Sequence, residues 1–301
     1  MNGFIDDLKN TFNKPGNMLP QLIIINVGVF VILGILMVFS YFSGLNIFNL
    51  VYNQLAIPAE FSQFIMKPWT IITYAFVHSM GDIFHILFNM LFLYWFGRLI
   101  VEYLGSNKLL GLYIWGAITG AVIYLLAYNF MPVFRDISQV RMVGASAAVY
   151  AVMVGAATLL PDFRFFLLFL GPVKIKYIAL FSIVLSFIGT AGSNAGGNIA
   201  HLGGAFIGYV IIIQLKQGND WTKPVVSTVE GIKNLFRPKP KIKVSHSSGK
   251  RTSTSSRGSS GTSSTKVDQH EIDRILDKIS ERGYESLSKE EKEKLFNASR
   301  K

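Results

Sequence analysis

Residues 21–42 read QLIIINVGVFVILGILMVFSYF, an apolar stretch without a single charged side chain. A helix needs about 20 such residues to cross the hydrocarbon core of a bilayer, so this stretch predicts a transmembrane helix. It is too long for a secretory signal peptide, and it lacks the basic flank and the small-residue cleavage site of one. We therefore predict a helix that stays in the membrane.

The rest of the chain has the composition of a membrane protein. Of 301 residues, 50% are hydrophobic and 16% are charged, whereas soluble domains carry about 25% charged residues. There is no cysteine, which excludes disulfides, thiolate metal sites and cysteine redox chemistry. We predict an all-α polytopic membrane protein of six transmembrane helices, in which five further spans follow the first at 83–104, 108–130, 142–160, 173–190 and 198–215.

The basic residues near the predicted spans set the orientation, because cytoplasmic loops are enriched in Lys and Arg. With both termini inside, the outer loops hold only Lys67, Arg135 and Arg141. The inner segments then hold Lys9, Lys14, Arg98, Lys108, Arg164, Lys174 and Lys176, together with the basic stretch that follows the last span. We therefore predict a multi-pass protein of the cell (inner) membrane with both termini in the cytoplasm.

Four regions follow from these patterns. Residues 1–20 form an N-terminal cytoplasmic segment, and residues 21–216 form the six-helix membrane domain. Residues 217–267 hold ten basic and two acidic side chains and become rich in Ser, Thr and Gly, which predicts a flexible, basic, low-complexity linker. This linker has no interleaved aromatic residues, so we expect the lipid bilayer, and no nucleic acid, as a partner.

Residues 268–301 predict a small helical hairpin. Asp268 and Glu271 have the spacing of a capping box at the start of one helix, and Ser288 and Glu291 repeat it at the start of a second. Gly283 suits the end of the first helix. An apolar stripe on this hairpin offers a surface for self-association or for a cytoplasmic partner.

Polar side chains inside three of the predicted spans are candidates for function, since such groups are costly in a bilayer. His85 and Asn89 share one face of the second span, Ser146 and Tyr150 share one face of the fourth, and His201 lies in the sixth. These three spans all enter from the outer face. The four residues His85, Asn89, Ser146 and His201 therefore lie at similar depths, just below the outer surface.

A serine and a histidine at one depth suggest nucleophilic catalysis. Gly204 and Gly208 allow a close approach of the sixth span to a small-residue helix such as the fourth. His201 would then lie against Ser146 and could accept the proton of its hydroxyl group. His85, Asn89 and the Ser146 N–H could donate hydrogen bonds to a developing oxyanion, and each such donor is typically worth about 3 kcal/mol of barrier.

The motifs His85-Ile-Leu-Phe-Asn89, Gly144-Ala-Ser146 and Ala200-His201-Leu-Gly-Gly-Ala-Phe-Ile-Gly208 resemble those of the rhomboid family of intramembrane serine proteases, of the bacterial six-helix type. The resemblance covers about 60–216. It implies a Ser146–His201 dyad without a carboxylate or a cofactor, acting on the transmembrane segments of other membrane proteins. It also implies that Tyr150 stacks on His201, that His85 and Asn89 line the oxyanion site, and that Gly144 belongs to the nucleophile motif.

One residue departs from the family pattern. The family motif Gly-x-Ser-Gly has Ala147 in its last position here, and the extra methyl group could tighten the pocket beside Ser146. The alternative to a protease is therefore a catalytically inactive rhomboid-like protein that binds membrane helices for quality control or as a chaperone. A solute carrier is disfavoured because the two halves show no clear repeat. We expect no metal site, since the histidines do not form a His-Glu-x-x-His motif.

Overall fold

The structure, a computed structural model, describes residues 18–167, 170–236 and 269–298, together with positions 11 and 16. Most of the predicted N-terminal segment lies outside the described residues. So do residues 237–268, which comprise the rest of the predicted linker and Asp268 of the first predicted capping box. The chain divides into two compact units, one within residues 1–239 and one within residues 240–301.

The first unit is helical, with two short pairs of antiparallel strands. Its elements, in chain order, are α1 (Met18–Ser43), α2 (Ile47–Leu55), β1 (Ile57–Pro58), α3 (Phe61–Met66), α4 (Thr70–Thr73), a 3-10 turn (Tyr74–Phe76), α5 (Ile83–Leu104), α6 (Ser106–Phe130), β2 (Arg141–Met142), α7 (Ser146–Leu159), β3 (Arg164–Leu167), β4 (Gly171–Lys174), α8 (Ile175–Gly189), α9 (Ala195–Lys216) and α10 (Lys223–Phe236).

Four of the six predicted spans are helices long and apolar enough to cross a bilayer, namely α1, α5, α6 and α9. The other two, α7 and α8, are apolar but have only 14 and 15 residues, which gives α7 a length of about 21 Å. Helix α7 begins at Ser146 and not at 142, because Arg141 and Met142 are extended and pair with Pro58 and Ile57. The count of six membrane crossings therefore remains a prediction.

Helix α7 lies at the centre of the first unit, and ten of its fourteen residues are buried. Glycines on the neighbouring helices permit this packing. A Cβ atom on Gly204 would overlap the backbone carbonyl oxygen of Ala147, and one on Gly208 would overlap that of Ala151. Backbone-to-backbone contact of this kind is typical of small-residue interfaces between membrane helices. It brings the N-terminal half of α9 against the start of α7.

Residues 43–82, which connect the first two predicted spans, fold into three short helices, strand β1 and the 3-10 turn. Hydrogen bonds between side chains and backbone hold this segment together. The indole of Trp69 donates to the carbonyl oxygen of Gln54 at 2.7 Å, and the hydroxyl of Thr73 donates to that of Leu55 at 2.8 Å. The segment supplies β1, which fixes the strand that leads into α7.

Part of the predicted linker is a helix. Helix α10 packs against α6 through the turn that precedes it, where Thr222 is 1% exposed. Asp220 in this turn forms an ion pair with Lys108, and the indole of Trp115 donates to the carbonyl oxygen of Trp221 at 2.8 Å. Residues 217–236 are therefore part of the first unit.

The second unit contains α11 (Gln269–Arg282), a 3-10 turn (Tyr284–Ser286) and α12 (Lys289–Ala298). Gly283, with φ of 77°, follows α11 in the left-handed region that suits glycine. At the start of α12, the Ser288 hydroxyl accepts from the Glu291 N–H at 3.2 Å, and the Glu291 carboxylate accepts from the Ser288 N–H at 2.8 Å. This is the second capping box predicted from the sequence.

Candidate active site

Ser146 and His201 form a hydrogen-bonded pair where α7 and α9 meet. The distance between Ser146 Oγ and His201 Nε2 is 2.7 Å. Ser146 is the first residue of α7, and His201 lies in the second turn of α9. This is the nucleophile–base geometry in which an imidazole can take the proton of a serine hydroxyl.

The face of the His201 ring and its second nitrogen, Nδ1, also have partners. The ring of Tyr150 stacks on that of His201, with centroids 4.4 Å apart and an interplanar angle of 11°. His201 Nδ1 lies 3.1 Å from Ser186 Oγ, and the Ser186 hydroxyl donates to the Tyr150 oxygen at 2.8 Å. The sequence offers no signal for Ser186, since a lone serine in an apolar helix has no distinguishing pattern.

His85 approaches the pair because Gly144 has no side chain. Gly144 has φ of 134°, and a Cβ atom there would lie 2.9 Å from Nε2 of His85. The N–H of Gly144 donates to the carbonyl oxygen of Tyr74 at 3.0 Å, which fixes the chain just before the nucleophile. Asn89 is buried, and its amide donates to the carbonyl oxygen of His85 at 2.7 Å. The structure thus brings together all six residues predicted for the site.

Two cavities meet at Ser146. The first, of about 380 Å³, is lined mainly by polar residues and by the segment before α9, including Asp82, His85, Arg141 and Asn194. The second, of about 270 Å³, contains His201 and Asn89 and is lined on one side by the α5 phenylalanines Phe84, Phe88 and Phe92. Phe84 and Phe88 are more than half exposed. The serine therefore lies between a polar chamber and an apolar cleft.

The methyl group of Ala147 points away from both cavities. Ala147 is 1% exposed, and a Cβ atom on Gly120 of α6 would come within 2.5 Å of its methyl carbon. Among the described residues that line the two cavities, Ala147 does not occur. The departure from the family motif thus changes the contact between α6 and α7 and leaves the space around Ser146 Oγ open.

His78 lies behind His85 in the loop before α5. It is fully buried, its ring centroid is 5.3 Å from that of His85, and neither of its nitrogens has a hydrogen-bond partner among the described residues. Burial, with a smaller contribution from nearby His85, lowers the pKa of His78 to about 3. His78 is therefore neutral at physiological pH.

Other polar groups around the site lack partners within the described part of the chain. They are the hydroxyl of Tyr124 and Nη1 of Arg141, and both residues line the polar cavity. The Nε of Arg141 donates to the side-chain oxygen of Asn53 at 3.0 Å, which holds the guanidinium in place. Residues 18–167, 170–236 and 269–298 contain no cluster of three His, Asp or Glu side chains suited to a metal ion. The hydrogen-bonded hydroxyl of Ser146 and imidazole of His201 are the reactive groups that the site presents.

Two sequence families match this chain. Residues 66–217 match the Rhomboid domain, and residues 263–301 match a family of unknown function, DUF6576. The first match covers α4 to α9 and every residue of the candidate site. The second covers the small helical unit.

Two curated proteins resemble the chain. RHOMBOID-like protein 12, mitochondrial, from Arabidopsis thaliana is 36% identical over 160 residues, which cover 50% of this chain and 47% of that protein. Rhomboid protease GlpG from Haemophilus influenzae is 34% identical over 143 residues, which cover 47% of this chain and 67% of that protein. The chain therefore spans about half the length of the first relative and two thirds of the second.

Proposed function

Because this chain belongs to the rhomboid family, we propose that it is an intramembrane serine endopeptidase that cleaves transmembrane segments of membrane proteins near the outer face. Ser146 is the nucleophile, and His201 is the general base and acid. The observation that carries this proposal is the 2.7 Å hydrogen bond between Ser146 Oγ and His201 Nε2. A serine hydroxyl is a weak nucleophile unless a base takes its proton, and here the base is in place.

The reaction follows from this geometry. Ser146 Oγ attacks the scissile carbonyl carbon while its proton passes to His201 Nε2, and the carbonyl oxygen becomes an oxyanion. The first N–H groups of α7 have no acceptor within the helix, so they can donate to this oxyanion together with the neighbouring His85. His201 then protonates the leaving amine. Water, activated by the same histidine, hydrolyses the acyl-enzyme and regenerates Ser146.

The two cavities give the substrate and the water separate routes to Ser146. The apolar cleft beside Phe84 and Phe88 suits a segment that arrives from the lipid, because its wall is itself lipid-like. The polar cavity, bounded in part by Ser193, Asn194 and Gly196, suits water that enters from the outer face. A helical substrate must unwind locally near the cut, since the carbonyl groups of a helix are occupied by its own hydrogen bonds.

We also propose the cell membrane as the location, with both termini in the cytoplasm. The support is the excess of Lys and Arg in the segments that this orientation places inside. Since the chain has no cysteine, a single cysteine introduced at Ser255 reports the side of the tail by its reactivity toward a membrane-impermeant maleimide. In intact cells, we expect protection of this cysteine from the reagent, and labelling would place residue 255 outside.

We also propose residues 268–301 as a surface for self-association or for a cytoplasmic partner.

The alternative is a catalytically inactive rhomboid-like protein that binds membrane helices, and Ala147 is the residue that raises it. Its methyl group is buried against α6 and lines neither cavity in the described residues, which favours the protease. Labelling of the purified protein with a fluorophosphonate probe in detergent separates the two. We expect labelling of the wild type that is lost in Ser146→Ala and His201→Ala and kept in Ser182→Ala. A folded wild-type protein that stays unlabelled would favour the helix-binding alternative.

A further inference from the structure

We propose that Ser186 of α8 is a positioning residue that holds His201 in the tautomer with the proton on Nδ1, and so leaves Nε2 free to accept the proton of Ser146. The proposal rests on the proposed protease function for its kinetic consequence. It concerns a residue outside the motifs that the site is built from. Its basis is a chain of hydrogen bonds that runs from the nucleophile to the backbone of α8.

Four contacts make up this chain. Ser146 Oγ is 2.7 Å from His201 Nε2, and His201 Nδ1 is 3.1 Å from Ser186 Oγ. Ser186 Oγ donates to the Tyr150 oxygen at 2.8 Å, and the Tyr150 hydroxyl donates to the backbone carbonyl oxygen of Ser182 at 3.2 Å. Ser186 is 2% exposed, so its hydroxyl group is shielded from solvent.

The carbonyl oxygen at the end of the chain gives it a direction. A carbonyl oxygen only accepts, so Tyr150 donates to it, and the Tyr150 oxygen is then free to accept from Ser186. Ser186, having donated its only hydrogen to Tyr150, accepts from His201 Nδ1–H. His201 Nε2 then carries no proton and accepts from Ser146. If the hydrogen bonds ran in the opposite direction, the contact between Tyr150 and the Ser182 carbonyl would have no proton to share. In the direction given above, each of the four contacts has one donor and one acceptor.

This direction matters because a histidine without such a partner prefers the proton on Nε2, the nitrogen that must be free here. The partner of one ring nitrogen sets the protonation of the other. In serine proteases with a triad, a carboxylate performs this role. No carboxylate within the described residues hydrogen bonds to His201. Tyr150 stacks on the His201 ring, Ser146 lies at Nε2, and Ser186 lies at Nδ1.

The contact also serves the charged intermediate. When His201 takes the proton of Ser146, both ring nitrogens carry hydrogen, and the Nδ1–H continues to donate to Ser186 Oγ. No rearrangement of Ser186 or Tyr150 is needed during the transfer, since the Ser186 oxygen accepts in both states. A preorganised acceptor of this kind lowers the barrier because it does not have to reorient during the reaction.

Ser182 provides a matched control for Ser186. It is the same residue type one turn earlier on α8, and its own hydroxyl donates to the carbonyl oxygen of Ile178 at 2.9 Å, within the helix. Its backbone carbonyl, which ends the chain, is unchanged in Ser182→Ala. This variant therefore removes a hydroxyl from the same helix and leaves the four contacts intact.

The kinetic test measures cleavage of a reporter transmembrane segment in liposomes by the full-length protein. For Ser186→Ala we expect kcat to fall about fivefold to tenfold, the size of the loss of one hydrogen bond, with KM changed less than about twofold. Tyr150→Phe keeps the stacked ring and loses the hydroxyl, and it should show a smaller fall in kcat. Ser186→Thr should restore most of the rate, and Ser182→Ala should match the wild type. Equal kcat in folded Ser186→Ala and wild type would overturn the proposal.

The tautomer is read directly from ¹⁵N NMR spectra of histidine-labelled protein in liposomes at neutral pH. The chain has five histidines, and the His201 signals are those missing in His201→Ala. We expect Nδ1 of His201 to be protonated and Nε2 unprotonated in the wild type, with the other tautomer appearing in Ser186→Ala. A wild-type spectrum with the proton on Nε2 would overturn the proposal even if Ser186→Ala does not fold. This readout needs no substrate, so it stands apart from a failure of the protease function itself.

Discussion

Replacement of Gly204 by alanine tests whether the close approach of α7 and α9 creates the dyad. The added Cβ atom would overlap the Ala147 carbonyl oxygen and would lie 2.8 Å from the Ala147 carbonyl carbon. Since both neighbours are backbone atoms of a buried helix, they cannot rotate away. The helices must move apart at this position, which is one turn from His201 and adjacent to Ser146.

The size of the movement follows from these distances. An ordinary contact begins at 3.4 Å, so clearing the Ala147 carbonyl carbon alone requires the two helices to separate by about 0.6 Å. The Ala147 carbonyl oxygen lies closer still to the added Cβ atom, so clearing it requires a larger separation. Directed along the hydrogen bond, even the smaller of these displacements would lengthen the 2.7 Å distance between Ser146 Oγ and His201 Nε2 to roughly 3.3 Å, at which a hydrogen bond is weak. A misplacement of this order costs about 10-fold to 100-fold in rate.

The assay compares fluorophosphonate labelling rates of the wild type, Gly204→Ala and Gly34→Ala in detergent. Gly34 is also a glycine of a long apolar helix, and outside its own stretch of helix no atom of the described residues lies within 4 Å of a Cβ there, so its variant is the control. We expect a labelling rate about 10-fold to 100-fold lower for Gly204→Ala and an unchanged rate for Gly34→Ala. Labelling of a folded Gly204→Ala protein at the wild-type rate would refute the link between this packing and the dyad.

Three further predictions concern residues around the site and the ends of the first unit. Ala147→Gly should leave kcat/KM within about threefold of the wild type, because the lost methyl group faces α6, and should lower the free energy of unfolding by roughly 0.5–1 kcal/mol. A large gain in kcat/KM would show that the Ala147 methyl group limits catalysis. Burial lowers the pKa of His78 to about 3, below its value of about 6.5 in the unfolded chain, so the free energy of unfolding should fall by about 1.4 kcal/mol as the pH drops from about 7.5 to 5.5. The free energy of unfolding of His78→Gln should lack this part of the pH dependence, and an equal pH dependence in the variant would contradict a neutral, buried His78. Truncation after residue 239 should leave fluorophosphonate labelling and the melting temperature unchanged, whereas truncation after residue 216 should lower the melting temperature because it removes the packing of Asp220 and Thr222 on α6. Equal melting temperatures for the two truncated proteins would show that this packing contributes little.

Much of the fold can be predicted from the sequence because the strongest signals are local. The long apolar segments correspond to α1, α5, α6 and α9, and the second capping box, at Ser288 and Glu291, is present. The start of α7 differs from its predicted position because it depends on a pairing between Arg141–Met142 and Ile57–Pro58, more than 80 residues apart in the chain. No local pattern reports such a contact.

Helix α10 is hidden within the predicted linker because the basic composition of residues 217–267 is an average over the whole segment. Within it, Val225, Val226 and Val229 recur at helical spacing, and all three pack against or within the first unit. A shorter window would show this periodicity. Composition averaged over a long segment therefore conceals a short amphipathic helix at its edge.

In the candidate site, the sequence identifies polar residues that stand out in apolar helices or in motifs, but it does not identify Ser186. Ser146 and His201 are conspicuous in apolar spans, and Gly144 and Tyr150 accompany Ser146 in a motif. Ser186 is not conspicuous, because a serine in a membrane helix commonly bonds to its own backbone, as Ser182 does. Only the packing of α8 against α7 and α9 directs the hydroxyl of Ser186 to His201.

The proposed function of Ser146 and His201 is to cut a membrane-spanning segment near the outer face. Its most direct test is incubation of the full-length protein in liposomes with a labile reporter transmembrane segment, followed by mass spectrometry of the products. We expect a single cut in the outer part of the segment by the wild type and no cut by Ser146→Ala or His201→Ala. A segment that binds the folded wild-type protein and stays intact, or a cut that persists in Ser146→Ala, would contradict the claim.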